Sequence, residues 1–300
     1  MDQYKTDKVL AKALYGKVLL CTDKKSKQVV VIKRIQLDAA KKRKALAGGV
    51  KVMEDAEMEK RTYRALREAG GHPHVLHMSK DFVDGGFDHL VLEYCARGEL
   101  FQELELQPGH RLGAPRAQEC FSQIVHGLSF MHEQGIAHGD LSLENVFVDR
   151  HGTCKLGDFG LATDMKALKR HCAGKFFYMA PEMYMGLEYD PAAADVWSLG
   201  IMLVMMVTGT PLFDRATPAD AGFRFMKAKG LRSICREYGV AVPPDDVMDV
   251  LEHMLQVQPS DRWTLAQVRD HGYVQAQVHS IADDKLTTLM RHCSVSSMAA

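Results

Sequence analysis

Four short stretches of the chain carry residue types suited to phosphoryl transfer. Val30-Val31-Ile32-Lys33 closes a β-branched run with a lysine, and Asp140 is followed five residues later by Asn145. Asp158-Phe159-Gly160 supplies a further acid beside a glycine, and Ala180-Pro181-Glu182 comes last. Moving a phosphoryl group requires cradling of nucleotide phosphates, metal ions on the group in transit, and a carboxylate beside the attacking hydroxyl. Each requirement has a candidate among these stretches. Taken singly, each stretch also reads as an ordinary turn or buried strand end; together, in this order, they argue for one site.

In order and spacing the four resemble the signature set of the eukaryotic protein kinase family, over roughly residues 9 to 274. Asp195-Val196-Trp197-Ser198-Leu199-Gly200 resembles that family's buried sixth helix, and Pro259-Ser260-Asp261-Arg262 carries the arginine that the family pairs with the acid matching Glu182. The resemblance implies an α+β bilobal fold: a small β-rich N-lobe with one regulatory helix, and a larger helical C-lobe. It also implies ATP and Mg²⁺ as cofactors and protein substrates as partners.

Carried over residue by residue, the resemblance gives Asp140 the role of catalytic base and gives Asn145 and Asp158 the metal. Lys33 would hold the α- and β-phosphates, oriented by Glu59. Glu59 is preferred to Glu57 because it leads Glu-Lys-Arg-Thr-Tyr-Arg-Ala-Leu, which puts Tyr63 one turn further along the same face. Leu10, Ala11, Ala13 and Gly16 fall in the phosphate-covering loop. Val18 and Val31 would roof the adenine, Phe147 would floor it, and Glu93 and Cys95 would meet it at the hinge behind Leu92, with Glu99 just beyond. Tyr63, Met78, His138 and Phe159, anchored at Asp195, match the stack that aligns the lobes.

The chain departs from the family at three places. Residues 11 to 16 read Ala-Lys-Ala-Leu-Tyr-Gly, so two glycines of the loop are alanines, each adding a Cβ where backbone must approach phosphate. Weaker ATP binding is expected. Gly139 stands where the family has an arginine that answers an activating phosphate, and Thr163 and Tyr178 are the only hydroxyl residues between Asp158 and Glu182. Neither lies near His171 and Cys172, where that phosphate usually sits. Finally, the lysine expected two residues after the base is Ser142, while Lys175 replaces the threonine after the activation-segment glycine. The family's geometry sets these two positions across the γ-phosphate site from each other, so lysine and hydroxyl have traded places; the alternative is a solvent-facing Lys175.

Serine/threonine specificity is favoured, because Ser142-Leu143-Glu144 does not match the tyrosine-kinase pattern. Glu99 and Glu144 match the acids that meet a basic residue upstream of the phosphosite, although Glu99 has an alternative role at the ribose. Two readings stand: an active enzyme, for which Lys33, Asp140, Asn145 and Asp158 are all retained, and a catalytically silent interaction module, for which the altered loop speaks. A small-molecule kinase fits less well, given the full activation segment.

The elements that must position these residues follow from periodicity. Strand-like runs from Val9 to about Gln36 read as a hairpin, residues 53 to 68 as an amphipathic helix before Gly70-Gly71, and two further runs end near Tyr94. Residues 95 to 98 form the hinge. Beyond it the texture is helical: Glu99 to Glu105, Ala117 to Glu133, a helix from near Ala193, and more to about Val274. Residues 1 to 8 are read as an N-terminal extension and 275 to 300 as a tail with a short helix at 281 to 291.

Composition agrees with a globular chain: 300 residues, 46% hydrophobic and 25% charged. With 38 basic and 38 acidic residues there is no net charge to draw it onto nucleic acid or an anionic membrane. The Lys41-Lys42-Arg43-Lys44 run reads as a solvated segment. Seven cysteines without a Cys-x-x-Cys spacing indicate free thiols, and the longest strongly apolar stretch, Leu199 to Val207, is too short to span a bilayer. A cytoplasmic protein is expected.

Overall fold

The computed structural model describes residues 1–170 and 173–276. The expected tail helix at 281 to 291 lies outside the described residues, as do His171 and Cys172.

The N-lobe is built on one antiparallel sheet ordered β1-β2-β3-β5-β4, from β1 (Tyr4–Ala13), β2 (Gly16–Asp23), β3 (Val29–Gln36), β4 (Met78–Asp84) and β5 (Phe87–Glu93). The β-branched run in β3 alternates across the pleat. Val30 and Ile32 enter an outer cluster with Tyr4, Leu19, Cys21 and Val91, while Val31 and Lys33 point to the opposite face and line the inter-lobe cleft. The sheet begins earlier than expected. Residues 4 to 8 are the first half of β1, with Tyr4 paired opposite Asp23 and packed on Phe82, not part of an extension. Charges at Lys5, Asp7 and Lys8 hide that strand in the sequence; Asp7 accepts a 2.6 Å bond from Thr22 on the neighbouring strand.

After a one-turn helix α1 (Leu37–Lys41), the connection to α2 (Ala56–Glu68) runs below the β1–β2 turn. Asp55 caps α2 by accepting from the amides of Glu57 and Met58, so the helix starts three residues later than periodicity predicts. Arg43, from the basic run, pairs with that same Asp55. Polar side chains anchor α2 on the sheet: buried Lys60 bonds Asp88 at 2.6 Å, and Arg64 pairs with Asp81.

The chain crosses to the C-lobe at residues 94 to 97, then forms β6 (Gly98–Glu99), α3 (Leu100–Glu105) and α4 (Ala114–Glu133). Gly113 and Pro115 at its entry let α4 begin before the expected Ala117. Short strands β7 (Ile136–Ala137), β8 (Val146–Val148), β9 (Cys154–Leu156) and β10 (Thr163–Asp164) carry the loops of the cleft floor. Below them pack α5 (Pro191–Thr208), α6 (Ala221–Lys229), α7 (Leu231–Glu237), α8 (Asp245–Met254) and α9 (Leu265–Asp270). By length and composition α5 could cross a membrane, yet 83% of its apolar window is buried inside the lobe, so here it is the core helix. Asp190 caps it and Pro191 opens it, which places its start before Ala193. Arg262 clamps Glu182 with two bonds of 2.7 and 3.0 Å over the ring of Trp197, the pairing that the family resemblance implies.

Candidate active site

A cleft of about 1050 Å³ separates the lobes, and the chemistry-bearing residues converge on it. Lys33 leaves β3 between two carboxylates, donating to Glu59 at 2.7 Å and to Asp158 at 3.1 Å. Glu59 faces inward because α2 turns Glu59, Thr62, Tyr63 and Leu66 to its buried side. Burial opposes charge on Lys33, but Asp158 and Glu59 more than offset it and hold its pKa well above the ordinary lysine value. Lys33 in turn holds Asp158 below the usual carboxylate range. Burial pushes Glu59 up to about 7 against the pull of Lys33. The two acids differ in access: the Asp158 side chain is 40% exposed to the cleft and that of Glu59 only 4%. Asp158 is therefore free to take a metal, and Glu59 can only orient the lysine.

The loop bearing Asp140 hangs from α5. Asp195 accepts from the amides of His138 and Gly139 at 2.7 and 2.9 Å. Gly139 has a φ of +74°, and a Cβ there would stand 2.4 Å from the carbonyl oxygen of Leu161. An arginine does not fit this backbone. Asn145, on the one-turn 3₁₀ helix Leu143–Asn145, donates to the backbone carbonyl of Asp140 at 2.7 Å and to its Oδ2 at 2.9 Å. Its own amide oxygen faces the Lys175 ammonium at 3.4 Å.

Tyr63 and Phe159 rings meet at 4.6 Å, Phe159 and His138 at 5.4 Å, and Met78 is fully buried. Tyr63 also accepts from the amide of Asp158 at 3.4 Å, steadying that residue at a φ of +60°.

Leu10, Ala11 and Ala13 line the cleft from β1, opposite Phe147. Val18 and Val31 lie on the roof side, and Glu93, Cys95 and Glu99 border it along the hinge. Gly16 does not line it. It pairs with Ile35, and a Cβ would meet the carbonyl oxygen of Arg34 at 1.8 Å, so this glycine serves the contact between β2 and β3, not phosphate. The position taken instead is that of Tyr15, which is buried and donates its hydroxyl to the carbonyl of Glu54 at 2.6 Å. Ala45, Val52 and Glu54, from the connection ahead of α2, also line the cleft. Nothing in their types marked them, and the burial of Tyr15 between half-buried Leu14 and Gly16 is visible only in the fold.

Lys175 turns into the cleft, not to solvent. Its ammonium donates to Ser142 Oγ at 2.9 Å and lies 3.4 Å from both Asp140 Oδ2 and Asn145 Oδ1. Among the described residues no group of three or more His, Cys, Asp or Glu side chains assembles a metal cage. Asp158 and Asn145 offer the sparse hard-oxygen set that suits Mg²⁺ when phosphate oxygens and waters complete its shell. The apolar walls beside the hinge suit a planar base.

A family model described as the protein kinase domain matches residues 4–274. The human NUAK family SNF1-like kinase 1 is 30% identical over 276 residues, 91% of this chain and 38% of that protein. The serine/threonine-protein kinase SAPK3 of Oryza sativa subsp. japonica is 29% identical over 277 residues, 91% of this chain and 77% of its own length. An Aurora kinase of Yarrowia lipolytica is 29% identical over 278 residues, covering 91% of this chain and 69% of itself. This chain thus spans about two fifths of the human relative.

Proposed function

This chain belongs to the protein kinase family, and from that premise we propose that it is an active ATP-dependent kinase that phosphorylates serine or threonine in protein substrates. One observation carries the reading: Lys33 bridges Glu59 and Asp158 at 2.7 and 3.1 Å, the arrangement phosphoryl transfer requires. A domain released from catalysis has no chemical use for that ion triad, with one acid buried and the other open to the cleft.

Lys33 would hold the α- and β-phosphates, with Glu59 fixing Lys33. Asp158 and Asn145 would hold Mg²⁺, which when bound would neutralise charge on the phosphoryl group that ATP supplies. Asp140 accepts the proton of the substrate hydroxyl as the hydroxyl oxygen bonds to the γ-phosphorus and ADP departs with the electron pair of the broken bond. Glu99 and Glu144 both line the cleft, and we assign them to its substrate side. Burial raises the Glu99 pKa, and the neighbouring Glu144 raises it further, which supports a site that gains from a basic substrate residue. Cytoplasmic residence is supported by the free, buried thiols at Cys21, Cys95, Cys120, Cys154 and Cys235.

The test is phosphate transfer from labelled ATP to a peptide array, with Asp140→Asn as control. Transfer to serine or threonine peptides, preferentially with basic residues upstream, that disappears in a folded Asp140→Asn is expected. The second reading, a silent interaction module, draws on Ala11 and Ala13, which line the cleft where the family has glycines. It predicts no transfer, and no thermal stabilisation by ATP with Mg²⁺.

A further inference from the structure

We propose that Lys175 is the cation that stabilises the transferring γ-phosphoryl group, delivered by the activation segment in place of a lysine on the catalytic loop. The inference rests on the kinase reading above. Among the described residues, three lysines line the cleft: Lys12, Lys33 and Lys175. Lys12 belongs to exposed β1, and Lys33 is committed to Glu59 and Asp158. Lys175 alone stands beside the base and the metal amide together.

Its three N–H donors meet Ser142 Oγ, Asp140 Oδ2 and Asn145 Oδ1, the groups that surround the point where hydroxyl and phosphoryl must meet. Only the Ser142 bond, at 2.9 Å, is of ordinary length; the other two, at 3.4 Å, are loose enough to be exchanged for a phosphate oxygen. Its side chain keeps 36% of its surface exposed on the cleft side, so the ammonium can turn on its four-carbon stem. Ser142, by contrast, is fully buried beneath it. Position 142 has no room for a lysine stem while Lys175 occupies the space above, so the two residues form one exchanged pair and not two independent losses.

The exchange has a mechanical consequence. Lys175 is held over the base only while its segment is docked on the catalytic loop. That docking runs through Tyr178, whose hydroxyl donates to Glu144 at 3.0 Å and accepts from the amide of Leu143 at 3.4 Å. Ser198 of α5 donates to the carbonyl of Tyr178 at 2.7 Å. Order in this stretch is therefore coupled directly to a charge in the reaction.

The test compares the wild type, Lys175→Met, which keeps the apolar stem, and the double variant Ser142→Lys with Lys175→Thr. We expect kcat to fall roughly ten- to a thousandfold in Lys175→Met, the range for losing one preorganised charge contact, and the double variant to recover most of it. Calorimetric affinities for ATP and ADP, each with Mg²⁺, give a readout independent of turnover: the wild-type preference for ATP should shrink in Lys175→Met and return in the double variant. Tyr178→Phe should lower kcat in the wild type and much less in the double variant, where the lysine no longer depends on docking. An active wild type with unchanged kcat in Lys175→Met overturns the inference and leaves the kinase reading intact. If the wild type transfers no phosphate, the kinase reading falls, and the ATP–ADP difference alone decides Lys175: its loss upholds the γ-phosphate contact, and its persistence or a failure to bind nucleotide refutes it.

Discussion

Tyr15 and Glu54, 39 residues apart, are joined by a 2.6 Å bond from the tyrosine hydroxyl to the glutamate backbone carbonyl. The bond ties the tip of the β1–β2 turn to the strap that leads into α2. Backbone bonds from Leu46 to the Leu14 carbonyl, at 2.8 Å, and from Gln36 to that of Tyr15, at 2.7 Å, reinforce the tie. A loop that has exchanged two glycines for alanines is thus held over the cleft by its neighbours.

Tyr15→Phe should raise the KM for ATP about two- to tenfold with little change in kcat, since one intramolecular hydrogen bond contributes about 0.5–1.5 kcal/mol. Steady-state kinetics at varied ATP would check it; an unchanged KM would mean that the tether has no part in holding nucleotide.

Glycines in this loop should behave in two opposite ways. Gly16→Ala drives a Cβ into the Arg34 carbonyl and should lower stability by about 1–3 kcal/mol in thermal or urea unfolding. Ala11→Gly with Ala13→Gly, at positions of β1 that line the cleft, should tighten ATP binding while costing about 1–2 kcal/mol of stability, since each glycine in a strand gives up about 0.5–1 kcal/mol. Unchanged stability in Gly16→Ala would contradict the assignment of Gly16 to sheet packing, and unchanged ATP affinity in the double glycine variant would contradict a part for Ala11 and Ala13 in holding nucleotide.

Glu59→Gln should separate activity from stability. Removing the carboxylate that orients Lys33 should cost most of kcat. The folded-state pKa of Glu59 is about 7, raised from an ordinary value of 4.5, so the folded protein holds this proton more tightly than the unfolded chain does. Its contribution is present in full below about 4.5 and is lost as pH rises through 7. The wild-type Tm should therefore fall, relative to that of Glu59→Gln, between pH 4.5 and 7. Parallel Tm curves across that window would refute the buried-acid account.

Activity should not require phosphate on the activation segment. Gly139 is locked by its φ of +74° and by the Leu161 carbonyl, so the loop carries no arginine for a phosphate to neutralise. Protein made in bacteria and treated with phosphatase should keep its rate. Gly139→Arg should lose stability instead of acquiring phosphate dependence, and a large loss of rate after phosphatase would count against this view.

The residues of the reaction were legible in the sequence because chemistry dictates their types and short spacings: Lys33 ends a β-branched run, Asn145 follows Asp140 by five, and Asp158 precedes Phe159 and Gly160. The choice of Glu59 over Glu57 was legible from helical periodicity, and α2 buries the former. Boundaries at Tyr4, Ala56 and Pro191 shifted because strand pairing and helix caps, not hydropathy, end an element. What the sequence left open was how backbones separated by many residues approach one another. That approach excluded Gly16 from the cleft, swung the strap carrying Glu54 beneath Tyr15, and set Lys175 on Ser142 across a sequence gap of 33 residues. Residue types alone permit a lysine at 175 to face either solvent or the base; only the packing of the activation segment against the catalytic loop supplies the steric walls that choose.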